Sequence, residues 1–77
     1  MKTGVVVKVV RSFGSEWGRI RPDGELRELF FNRASLAQPA DFATMHEGEA
    51  VEFAEREDGA SGSRAIQVDR PGRLSAP

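Results

Sequence analysis

Apolar residues fall along this chain in short runs separated by turn-forming residues, and none is long or periodic enough for an extended helix. Residues 5–10, Val-Val-Val-Lys-Val-Val, are β-branched almost throughout. That favours a strand, because branched side chains suit a pleated surface and lose rotamer freedom in a helix. Consecutive valines leave the inward face undecided: such a strand either sits centrally or carries an apolar patch on its outer side. Residues 11–16, Arg-Ser-Phe-Gly-Ser-Glu, read as a loop. Strands are predicted over 17–21 and 26–32, joined by Pro22-Asp23-Gly24, in which proline presets φ and glycine supplies a positive one. Residues 33–48 lack strand character. One helical turn fits 34–37, ending before Pro39, and another fits 41–45 with Asp41 as its N-cap. Residues 49–56 alternate in part, with Val51 and Phe53 on one face and Glu52 on the other, which predicts a half-buried fourth strand. A hairpin loop over 58–62 precedes a fifth strand marked by Ala65, Ile66 and Val68, and residues 71–77 read as a mobile tail. Five short strands in so small a chain predict an all-β barrel, since closure removes the exposed edges of an open sheet.

Composition narrows the picture. The 77 residues suffice for one small domain, here taken as 1–70 plus the tail. There is no cysteine, hence no disulfide and no thiolate metal site, which fits a reducing compartment. The valine run is broken by Lys8, too short to cross a membrane, and followed by no small-residue cleavage site. A cytoplasmic monomer is the expectation. Net charge is −1 and the pI about 5.8, so no bulk basic field draws in nucleic acid. The distribution is uneven: residues 1–33 hold seven Lys/Arg against four Asp/Glu (+3), and residues 34–77 four against eight (−4). The positive half is the one with the aromatic hairpin.

That hairpin carries a resemblance. Trp17-Gly18-Arg19-Ile20 and Leu29-Phe30-Phe31-Asn32 flank the Pro-Asp-Gly turn; Phe42 falls in the following loop; Glu47-Gly48-Glu49-Ala50-Val51-Glu52-Phe53 and Ser61-Gly62-Ser63-Arg64-Ala65-Ile66-Gln67-Val68 come after it. In order and spacing over about residues 4–69, apart from one extra residue in the loop after the first strand, these segments resemble the cold-shock domain, a five-stranded antiparallel oligonucleotide-binding (OB) barrel. The departures lie on the binding face. Val9 and Val10 stand where the family has Trp-Phe, Arg19 where it has a second aromatic, Asn32 where it has histidine, and Arg33 where an aromatic is common. Ser15-Glu16 replaces Lys-Gly, so a basic residue is lost there.

The resemblance implies binding of single-stranded RNA or DNA with low sequence specificity, of RNA-chaperone or regulatory type, with no cofactor and no catalysis. Trp17, Phe30 and Phe42 are then the stacking rings, because every base offers a flat π-face. Arg19 and Arg33 substitute planar guanidinium groups for two lost rings. Lys8, Arg11 and Arg64 hold phosphate, and Asn32 either bonds a base edge or caps the loop. Duller readings stand beside these. Trp17 and Phe30 also suit barrel packing, and Arg19 and Arg33 also suit surface pairs with Glu16, Glu25 or Glu28. Phe31 is expected in the core, opposite Phe30. Phe13 reads equally as a stacker or a loop anchor. His46 has no second histidine or cysteine beside it, and the serines have no base nearby, so neither metal nor triad chemistry is indicated. The alternative is a protein-interaction or structural barrel whose valine-rich first strand meets a protein partner.

Overall fold

The computed structural model describes residues 1–12, 14–59 and 62–71. Five strands, β1 (Lys2–Ser12), β2 (Ser15–Pro22), β3 (Leu29–Asn32), β4 (Ala50–Glu57) and β5 (Ser63–Asp69), close into a barrel of the OB type in the order β1-β2-β3-β5-β4. All neighbours are antiparallel except β3 and β5, which run parallel where the barrel closes. Two short 3-10 helices, Arg33–Ser35 and Pro39–Thr44, fill the connection between β3 and β4.

Inward residues alternate along each strand, as the pleat demands. Val6, Ile20, Leu29, Phe31, Val51, Phe53, Ala65 and Val68 form the core, sealed by Leu36, Phe42 and Met45 from the connection. β1 lies between β2 and β4, and a bulge at Val7 resolves its run of valines. Val6 pairs with Ile20 and Lys8 with Arg19, so Val7 is the extra residue and the inward face passes from Val6 to Val9. Val5, Val7, Val9 and Val10 are half-buried, so β1 presents no fully exposed apolar strip. A second irregularity sits on β5, where Gln67 takes a left-handed φ of 52° and the β4–β5 register shifts.

β1 and β2 reach beyond the predicted 5–10 and 17–21, so most of the predicted 11–16 loop is strand. The turn at Pro22-Asp23-Gly24 forms as expected, with Gly24 at φ 79° and the Glu25 N–H donating to the Pro22 carbonyl at 3.1 Å. β3, however, starts at Leu29 and not at residue 26. Leu26 is 96% exposed, and Arg27 is drawn across to Glu55, so that stretch leaves the ladder. Asp41 does not cap the second 3-10 helix. It lies inside the first turn, after Pro39, and Gln38 holds the N-cap position. Residues 72–77 of the predicted tail, with Ala60 and Ser61 of the hairpin loop and Phe13, lie outside the described residues.

A cluster of charges gathers around Glu55, which has the inward parity of Val51 and Phe53 but is only half-buried. It accepts two hydrogen bonds from Arg27 at 2.6 Å and one from Lys2 at 2.7 Å, and Arg27 is also bonded to Glu25. The Arg27 guanidinium, followed by Lys2, holds the Glu55 carboxyl well below the ordinary carboxylate range.

Candidate nucleic-acid interface

Outward residues of β2 and β3 alternate with the core positions, which puts Trp17, Arg19, Phe30 and Asn32 on one external face. Trp17 and Phe30 stack there, ring centroids 5.9 Å apart and planes 25° from parallel. Phe30 is 41% exposed, whereas its neighbour Phe31 is fully buried. Gly18 makes this arrangement possible. It sits under the face with no side chain, and a Cβ there would overlap the Lys8 carbonyl oxygen and lie 2.8 Å from the Phe31 ring.

The strand registers then align one lateral row of outward side chains around the barrel. Lys8 on β1 pairs with Arg19 on β2, Arg19 with Phe30 on β3, Phe30 with Arg64 on β5, and Arg64 with Arg56 on β4. Four interstrand steps of about 4.8 Å make this row roughly 19 Å long. Trp17 lies in the adjacent row, between Val10 and Asn32. The Lys8 ammonium is 5.5 Å and the Arg19 guanidinium 5.6 Å from the Trp17 ring centroid, and Arg64 is 5.4 Å from that of Phe30. Arg56 was not among the residues singled out in the sequence, because only the β4–β5 register brings it opposite Arg64.

Carboxylates intrude on this surface. Arg19 pairs with Glu28 at 3.7 Å, Arg33 with Glu16 at 3.5 Å and Arg64 with Asp58 at 3.4 Å. All three pairs are long and solvent-accessible, a class worth about 0–1 kcal/mol. Lys8 and Arg56 have no ion pair among the described residues. No protein-family model matches the chain, and no curated protein sequence matches it.

Four of the residues assigned to the site from sequence have other work. Phe42 is 1% exposed, packs edge-on against Phe31 at 6.3 Å and belongs to the core, so its ring has no free face for a base. Arg11 turns away from the face. Its Nε and Nη2 donate to the Phe42 carbonyl at 3.1 and 2.8 Å, Nη2 also donates to the Met45 carbonyl, and the guanidinium lies 5.4 Å from the Phe42 ring. It clamps the second 3-10 helix to β1. Asn32 takes the capping option: its Oδ1 accepts from the Ser35 N–H at 3.0 Å and from the Ser35 hydroxyl at 2.9 Å. Arg33 is also tied locally, through Nε to the Pro39 carbonyl at 3.2 Å. What remains together on the outer face is Trp17, Phe30, Lys8, Arg19 and Arg64, joined by Arg56.

A cavity of about 390 Å³ opens beside the stack, lined by Phe30, Asp58, Ser63 and Arg64. The Arg64 Nε is buried and has no hydrogen-bond partner. Among the described residues no group of three or more His, Asp or Glu stands close enough to hold a metal ion, and no helix is long and apolar enough to cross a membrane.

Proposed function

We propose that this protein is a divergent cold-shock-like domain that binds single-stranded nucleic acid, RNA or DNA, on the Trp17–Phe30 face. The observation that carries the reading is that stacked pair of rings, turned outward and bordered by Lys8, Arg19 and Arg64. The magnitudes favour exchange with a ligand. A cation over an exposed ring is worth about 0.5–1 kcal/mol, and a base stacked on it about 1–3 kcal/mol. A base therefore displaces the cations, and each displaced cation is left beside the incoming phosphate. Arg56, directly opposite Arg64 and without an ion pair among the described residues, adds a further cation to the same row.

Two stacking rings and a partly neutralised cation row imply modest affinity. Trp17 is the sole tryptophan, so its fluorescence reports on the site. Titration with oligo-U and oligo-T at low salt should quench it, and Trp17→Ala, followed by anisotropy of a labelled oligonucleotide, should weaken binding about 5- to 150-fold. Absence of binding at low salt, or binding insensitive to salt, would refute the proposal.

A further inference from the structure

We infer that the cavity beside Phe30 selects guanine through the Asp58 carboxylate. The inference rests on the single-strand reading above and deepens it. Its starting point is a feature poorly suited to phosphate: an acid lines the cavity in which the outward-facing ring of Phe30 is accessible. A carboxylate repels the backbone of a nucleic acid and accepts hydrogen bonds only. Beyond its contact with Arg64, the donors a single strand offers this carboxylate are base edges and, in RNA, the ribose 2′-hydroxyl, and single strands leave the Watson–Crick edge free for such readout.

The bases differ in what that edge offers two parallel acceptor oxygens. Guanine presents adjacent donors, N1–H and N2–H, which satisfy both. Adenine and cytosine each present one amino donor next to a ring nitrogen that is itself an acceptor. Uracil and thymine present one N–H between two carbonyls. Only guanine meets Asp58 without setting lone pairs against the carboxylate. Its next atom along the edge, the O6 acceptor, falls to a donor, and the Arg64 Nη1 stands 3.4 Å from the Asp58 Oδ2. Arg64 also touches the Phe30 ring, so floor, acceptor and donor belong to one cluster. At about 390 Å³ the cavity is at the small end of the 300–1,000 Å³ typical of ligand sites, which suits one base.

The test uses the full chain and RNA hexamers of uridine in which one central residue is guanosine, inosine, adenosine or cytidine. Guanosine should bind about tenfold tighter than all-uridine, within the range a bidentate base contact confers. Inosine, which lacks the 2-amino group, should lose most of that gain. In Asp58→Asn the guanosine preference should fall below about twofold while all-uridine binding persists. Equal affinity of the unaltered protein for guanosine and uridine hexamers overturns the inference and leaves single-strand binding intact. A guanosine preference that survives Asp58→Asn overturns the assignment to Asp58. Failure of every hexamer to bind at low salt removes both readings.

Discussion

Phe30 and Phe31 are adjacent in sequence and opposite in role, and truncating each in turn separates binding from folding. Phe31 is fully buried in the core, where Phe→Ala costs about 3–5 kcal/mol in transfer and cavity terms. Phe30 is 41% exposed. It therefore gains a little over half of the roughly 1.5–3 kcal/mol that burying such a ring gives, about 1–2 kcal/mol. At about 0.05–0.15 kcal/mol per residue, a 77-residue chain has roughly 4–12 kcal/mol of stability to lose. With about 4–8 °C of melting temperature per kcal/mol in a domain of this size, Phe30→Ala should melt roughly 4–16 °C lower. Phe31→Ala should lose at least about 12 °C or not fold. At a temperature where Phe30→Ala is fully folded, its affinity for a single-stranded oligonucleotide should be about 5- to 150-fold weaker. Circular dichroism melts and fluorescence titrations on the same samples give both quantities. Equal melting temperatures for the two variants would show the inward and outward assignment in β3 to be wrong. Unchanged affinity in folded Phe30→Ala would show that the exposed ring is not part of the binding surface.

Other perturbations probe the core, the cation row, the connection between β3 and β4, and the charge cluster around Glu55. Gly18→Ala should destabilise by about 1–3 kcal/mol, because its methyl group meets backbone and the Phe31 ring; urea denaturation would read this, and a wild-type midpoint would contradict the close approach. Arg56→Ala should lower the slope of log affinity against log salt by about 0.7 if it meets one phosphate. Arg11→Ala should leave that slope unchanged and instead speed amide exchange over residues 39–46, the segment that Arg11 clamps. Glu55 has a carboxyl pKa depressed in the folded state, so its contribution is present above the ordinary value near 4.3 and is lost as pH falls below it. Melts between pH 7 and pH 2 should therefore show a smaller acid loss in Glu55→Gln, which starts less stable at pH 7.

The hairpin was legible because its signals are local. Pro22-Asp23-Gly24 dictates a turn, and the alternation around Phe30 and Phe31 separates one face from the other without reference to the rest of the chain. Val51, Glu52 and Phe53 were legible for the same reason. What escaped depends on register. A bulge at Val7 cannot be found in a run of valines, since every residue there suits either face. Arg56 joins the cation row only through its pairing with Arg64, which follows from the irregularity at Gln67 and the β4–β5 register. Phe42 and Arg11 escaped for a chemical reason. A phenylalanine in a polar loop is apolar whether it meets a base or a core, and an arginine fork fits backbone carbonyl oxygens as well as phosphate oxygens. Only the folded connection shows that each has found its partner within the chain.

The parallel junction of β3 with β5 has a mechanical consequence. Phe30 beside Arg64 is where the wall of the cylinder is stitched shut, and among the described residues that strand pair is registered there alone. A ligand lying across both residues bridges the seam from outside, so its binding energy is added where the wall is least bonded. Occupancy should then slow amide exchange first in residues 63–66 and raise the melting temperature with ligand concentration. Ligand-dependent protection confined to β1 and β4 would place the contact elsewhere on the cylinder.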